Sequence, residues 1–119
     1  MIKERYVNFE VASLLRDKGF DECVHAWHNV FDKVNLDFDI AIDAPHLQIP
    51  APTQSMACDW IEENYKIHIV LLITKKGYVA SICDISDLDN LIYIVETKYY
   101  SCIEPVYNEA LEYILTNLI

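Results

Sequence analysis

Residues 50–73 constrain the fold more than any other part of the chain. They read Pro-Ala-Pro-Thr-Gln-Ser-Met-Ala-Cys-Asp-Trp-Ile-Glu-Glu-Asn-Tyr-Lys-Ile-His-Ile-Val-Leu-Leu-Ile. Pro50 and Pro52 hold the approach extended, because each fixes its own φ and restricts the residue before it. Thr53 is placed to cap a helix, its hydroxyl accepting from a free amide of the first turn. Met56 occupies the position where a reciprocal capping box would need Glu or Gln. Met56, Ala57, Trp60, Ile61 and Tyr65 recur at the spacing of one helical face, with Asp59, Glu62 and Glu63 opposite and Asn64 marking the end. Residues 67–73 follow as a short run, apolar in both alternating sets and partly β-branched. That pattern predicts a strand buried on both faces, with Trp60 packed on it at the centre of the core.

The remaining elements are arranged around this unit. Asn8 caps a predicted helix over 8–18, whose apolar face is Val11, Ala12, Leu14 and Leu15, and Gly19 closes it. Residues 22–31 are expected as a strand of poor alternation, turning at Asp32 and Lys33. In its partner, Val34, Leu36, Phe38, Ile40 and Ile42 alternate with Asn35, Asp37, Asp39 and Asp43. That period of two predicts an antiparallel strand with one apolar and one acidic face. A connector holding Pro45, Pro50 and Pro52 leads to the central helix. Beyond the central strand, Lys75, Lys76 and Gly77 make a tight turn in which Gly77 takes the left-handed conformation. Strands are predicted over 78–84 and 91–100, joined by a polar loop at 86–90. The chain ends in a helix striped by Val106, Ala110, Leu111, Ile114, Leu115 and Leu118, with Ser101 and Glu104 at capping-box spacing and Pro105 in the first turn.

The order is α-β-β-α-β-β-β-α, and the tight turns make the paired strands antiparallel. The economical architecture is α+β: a two-layer sandwich of about five mostly antiparallel strands with three helices on one face. Residues 1–119 suffice for one domain and show no repeat, low-complexity segment or boundary.

Composition excludes several classes. Two glycines cannot build a glycine-rich phosphate loop, and no apolar run approaches the roughly 20 residues that span a bilayer. The start, Met-Ile-Lys-Glu-Arg-Tyr, leads into a mixed segment without a signal-peptide core, so a cytoplasmic location is expected. A net charge of −10 opposes direct nucleic-acid binding, which relies on Lys and Arg to neutralise phosphates, and suits either a basic protein partner or simple solubility. Cys23, Cys58, Cys83 and Cys102 form no Cys-x-x-Cys pair, as expected of reduced thiols in a cytosolic chain.

The pattern Pro-Ala-Pro-Thr-Gln-x-Met-Ala-x-x-Trp-Ile-x-Glu of residues 50–63, closing on Ile67-His68-Ile69, resembles a group of small proteins from Bacteroides-type gut bacteria and their prophages. The openings Tyr6-Val7-Asn8-Phe9-Glu10-Val11-Ala12 and Gly19-Phe20 are similar to that group's, as is the close from Tyr107-Asn108-Glu109-Ala110 to Leu118-Ile119. Residues 22–44 match nothing in it. The resemblance implies a bacterial, prophage-like or mobile-element origin and brings no activity, cofactor or catalytic residue.

Four constellations deserve weighing as chemistry. Cys23, His25 and His28 form Cys-x-His-x-x-His, the nearest approach to a zinc set, yet on a strand His28 faces away from the other two. Cys58 and His68 could pair as nucleophile and base, although Cys58 lies beyond the first helical turn, where a helix start lowers a thiol pKa. Asp84, Asp87 and Asp89 crowd one loop without the spacing, glycine or closing Glu of a calcium loop. Tyr93, Tyr99, Tyr100, Tyr107 and Tyr113 suit a contact surface as well as ordinary sheet and helix flanks.

The function expected is therefore a small acidic cytoplasmic protein-interaction module without a cofactor. One form of it presents Asp37, Asp39 and Asp43 to a basic partner. Two alternatives stand beside it. One is a small enzyme or a ligand- or metal-binding domain with its site among His25, His28, Cys58 and His68. The other is a homodimer paired through an exposed edge strand.

Overall fold

A computed structural model describes residues 4–39 and 47–119. In chain order these form α1 (Phe9–Asp17), β1 (Trp27–Asn29), β2 (Asp32–Asp37), β3 (Gln48–Pro50), α2 (Gln54–Tyr65), β4 (Ile67–Thr74), β5 (Gly77–Asp84), β6 (Ile92–Glu96) and α3 (Ile103–Asn117). The class is the α+β one expected from the sequence, with antiparallel strands and three helices. The described strands number six and divide into two three-stranded sheets, ordered β2-β1-β3 and β4-β5-β6.

The helix ends obey local chemistry. Asn8 Oδ1 accepts from the Val11 amide at 2.9 Å and caps α1. At the other end Gly19 (φ +90°) donates to Arg16 O, and the Phe20 amide donates to Leu15 O, which is the Schellman closure. Thr53 caps α2 by accepting from the Met56 amide at 3.1 Å. That helix ends on Lys66, held at φ 57°, and passes straight into β4. The expected Ser101–Glu104 box is not made: α3 begins one residue later, and Cys102 caps it without a side-chain bond.

The segment before α2 is a strand, not merely a connector. Pro50 pairs with Trp27, and the proline is tolerated because β3 is an edge and needs no second row of amide donors. Residues just behind the N-terminus clamp the same segment: the Val7 amide donates to Pro52 O and the Gln54 amide to Arg5 O. Asn108, buried on α3, accepts from the Asn8 amide at 3.1 Å and ties the start of α1 to the last helix.

One apolar core joins these parts. Val11, Ala12 and Leu15 of α1 meet Ile49 of β3, Ala57 and Ile61 of α2, Ile67 and Ile69 of β4, Ala80 and Ile82 of β5, and Val106, Ala110, Leu111, Ile114 and Leu115 of α3. Trp60 sits at its margin, half-buried and edge-on between Phe20 and Tyr65 at centroid distances of 5.5 and 5.7 Å. The fully buried apolar α2 contributions are the smaller Ala57 and Ile61, on the helix that meets β4 and α3.

The strand buried on both faces is β5 rather than β4. Burial of β4 fades along its length, from Ile67 and Ile69 to the exposed Leu72 and Ile73. The order β4-β5-β6 makes β5 central, and Val79 through Cys83 are all buried. Lys75 and Lys76 turn the β4–β5 hairpin, and Gly77 supplies the positive φ, 123°.

The first sheet departs furthest from expectation. Of the predicted 22–31 strand only Trp27–Asn29 forms a strand, with Ala26 and Val30 adding backbone bonds to Ala51 and Leu47 at its ends. In β2 the alternation does not sort residues between core and water: Val34 and Phe38 are exposed while Asp37 is half-buried. Among the described residues no helix packs closely on this edge strand, so its period of two finds little to pack against.

Candidate functional site

Two places gather chemistry-bearing or contact-bearing residues. The first is a cleft of about 420 Å³ between the start of α2, the start of β4 and α3. Arg5, Gln54, Cys58, Glu62, His68 and Tyr107 help line it. The fold therefore brings Cys58 and His68 to one cleft, because α2 and β4 are joined by a single residue and run back along each other. The partner of His68 is Glu62, which takes its Nδ1, and not the thiol. Burial pushes the Cys58 thiol up to about 12, and the carboxylates of Asp59 and Glu62 push it the same way. A thiol so held is protonated at neutral pH and is a poor nucleophile. Burial, with Cys58 beside it, also raises the Tyr107 phenol, while Arg5 pulls it down. Gln54 is buried, donates through Nε2 to Glu104 O at 2.9 Å, and has no partner for Oε1 among the described residues.

The Cys23, His25 and His28 set does not assemble. Cys23 and His25 are exposed in the irregular segment before β1, whereas His28 is turned into the core. There His28 Nε2 donates to Val7 O at 2.8 Å and the ring stands edge-on to Phe9. Among the described residues no group of three or more His, Cys, Asp or Glu side chains is placed to hold a metal ion. His25 and His28 likewise lie outside the Cys58 cleft.

The acidic strand face is also rearranged. Asp37 accepts from Gln48 Nε2 at 3.0 Å, and the Asp39 carbonyl accepts from the same group. These bonds anchor β2 to β3 and use part of the charge that a basic partner would read. Asp43 lies outside the described residues. Of the acidic loop, Asp84 accepts from Ser86 and Asp87 from the Asp89 amide, both local turn bonds.

The second place is the outer side of the β4-β5-β6 sheet. Helices α2 and α3 cover the face carrying Ile69, Ala80 and Ile82. By strand alternation Val70, Leu72, Val79, Cys83 and Tyr93 lie on the opposite face. Strands β4 and β6 are the two edges of this sheet, and β6 with the residue before it carries the longest exposed apolar run among the described residues: Leu91 50%, Ile92 54%, Tyr93 72% and Ile94 36%. A register slip against β5 between Ile82 and Cys83 makes Ile94 an extra, bulged residue. The pattern of residues 91–100 predicts a strand here that runs on to Tyr100. That residue instead makes a separate bridge with Tyr78. What the pattern missed was the edge position, although an uncharged run at 90–95 between Asp89 and Glu96 was a visible signal.

In comparisons with protein families, with curated proteins and with solved structures, this chain matches none.

Proposed function

We propose that this protein is a binding module that docks another protein chain by strand addition at β6. One observation carries the reading: four consecutive apolar residues, Leu91 and the first three of β6, stand exposed at an edge of a sheet. An edge presents a row of unpaired amide and carbonyl groups, and strand addition satisfies them while side-chain pockets give selectivity. Monomeric proteins rarely leave such a run to water. The protonated Cys58 argues against the hydrolase alternative. No described helix is long and apolar enough to cross a membrane. The four free thiols support work in a reducing compartment such as the bacterial cytoplasm, and the resemblance of residues 50–69 to small gut-bacterial proteins supports the same setting.

Tyr93→Lys tests the reading, since it places a charge in the middle of the exposed run. The wild type should retain a bound chain that the variant releases, with the circular dichroism spectra unchanged. A partner held equally by both proteins would move the binding site elsewhere and sink the proposal.

A further inference from the structure

We infer that the cleft at the start of α2 is a binding site for a dipeptide, held by its terminal carboxylate, its peptide N–H and its terminal ammonium. The cleft shares no residue with β6, so this site stands or falls apart from the strand-addition reading. Its volume of about 420 Å³ lies within the roughly 300–1,000 Å³ of small-molecule pockets.

The argument starts from Gln54. This side chain lines the cleft yet is only 3% exposed. Its Nε2 donates to Glu104 O, which fixes the end of the amide that is oxygen. Oε1 is left as a buried acceptor without a partner among the described residues. Buried polar atoms are ordinarily paired, and a ligand N–H at this wall would pair this one.

Donors for an anion stand beside it. In the first turn of α2 the Gln54 amide donates to Arg5 O, Met56 to Thr53 Oγ1 and Ala57 to Thr53 O. The Ser55 amide is left without a partner among the described residues. The bond from Gln54 also sets Arg5 beside the helix start, and the guanidinium makes no ion pair among the described residues. Arg5 and Ser55 both line the cleft, and a helix-start amide with a guanidinium suits a carboxylate. Glu4, exposed and lining the same cleft, opposes a second negative charge beside Arg5 and so favours a monocarboxylate over a phosphate.

An acceptor for a cation lies further along the helix. Asp59 is four residues beyond Ser55, a rise of roughly 6 Å. It is exposed, lines the cleft and makes no ion pair among the described residues. Glu62, almost a turn beyond, is already bonded to His68 Nδ1. Between the two ends lie Ile69, Tyr107 and the protonated, uncharged Cys58.

These positions select one kind of ligand. The donor for Gln54 Oε1 must sit close to the carboxylate, because Gln54 and Ser55 are neighbours, and the cation must sit about one helical turn away. In a dipeptide the peptide N–H is on the carbon that bears the carboxylate, and two extended residues span at most roughly 7 Å. A single α-amino acid holds its ammonium beside its carboxylate and leaves Asp59 unused. An ω-amino acid has the span but no N–H for Gln54.

The experiment is titration of the intact protein with L-alanyl-L-alanine, read by isothermal calorimetry and by amide NMR shifts. Binding should saturate, with shifts at Ser55, Asp59 and the Gln54 side chain. Acetylating the amine, amidating the carboxylate, or substituting δ-aminovalerate, which keeps both charges and lacks the peptide N–H, should each weaken binding by roughly tenfold. Asp59→Asn should bind the dipeptide and its N-acetyl form alike, and Arg5→Gln should bind the dipeptide and its C-terminal amide alike. Both positions are exposed, and circular dichroism checks that the variants fold. Tyr93→Lys should bind the dipeptide as the wild type does. Absence of saturable binding at millimolar dipeptide overturns the inference. So does a dipeptide held equally with its ends blocked, or a selectivity that neither Asp59→Asn nor Arg5→Gln changes.

Discussion

Gly77 shows how one residue can be fixed by two constraints at once. Its φ of 123° lies where side-chain-bearing residues are strained, and a Cβ there would come within 2.5 Å of Tyr100 O. That carbonyl accepts from the Tyr78 amide at 2.8 Å, so it is backbone already committed and unable to yield. Gly77→Ala should therefore destabilise the protein by more than about 1 kcal/mol, read as a shifted urea midpoint at unchanged slope. The turn was legible from Lys75-Lys76-Gly77; the approach of Tyr100, more than twenty residues away, was not. Cys58 is the second case. Its thiol, raised from an ordinary 9.0 to about 12 by burial and by Asp59 and Glu62, is neutral when folded and titrates earlier when unfolded. A folded pKa above the unfolded one gives a contribution that is full below pH 9.0 and is lost as pH rises toward about 12. Stability should accordingly fall across that window, with a shallower fall in Cys58→Val. Thiol reagents at neutral pH should modify the exposed Cys23 and Cys102 first, the half-buried and protonated Cys58 slowly, and the buried Cys83 only after denaturant. Rapid modification of Cys58 in the native state would contradict its assigned environment.

At the scale of elements, the helices were read from sequence to within a residue or two, because caps and apolar stripes are local. Asn8, Gly19 and Thr53 each do what their chemistry predicts. Asn8→Ala should cost about 1 kcal/mol through loss of the α1 cap. Asn108→Ala should cost about 1–3 kcal/mol by a different route, because it strips the Asn8 amide of its buried acceptor. Both are read by thermal or urea unfolding, and an unaltered midpoint in Asn108→Ala would mean that the α1–α3 tie carries no weight. The strands were less legible. In β2 a clean period of two predicted a buried face, yet Val34 ended in water, because alternation reports that a strand has two faces and not that a helix waits for one of them. In β4 a fully apolar run suggested the central strand, but centrality belongs to whichever strand lies between two others, and that is β5.

For the whole molecule, α2 and α3 laid over one face of the β4-β5-β6 sheet, with α1 packed on α3 and β3, leave the β6 edge exposed. Apolar residues in the common core should be the most sensitive to truncation. Ile82→Ala or Leu111→Ala should cost about 2–5 kcal/mol, whereas Tyr93→Ala, at the exposed edge, should change monomer stability little. A large loss of monomer stability in Tyr93→Ala would mean that the ring belongs to the fold and not to an interface. By itself the sequence determined the class, the three helices with two of their three caps, the β4–β5 hairpin and the exclusion of a phosphate loop. All of these rest on interactions within a few residues or on composition. Only the tertiary structure decided that the strands split into two sheets, that β5 is central, that His28 turns inward, that Cys58 is half-buried in a cleft beside carboxylates, and that 91–94 lie at an edge of a sheet. Each of those depends on which distant segment arrives to cover a surface, and spacing along a chain carries no record of that.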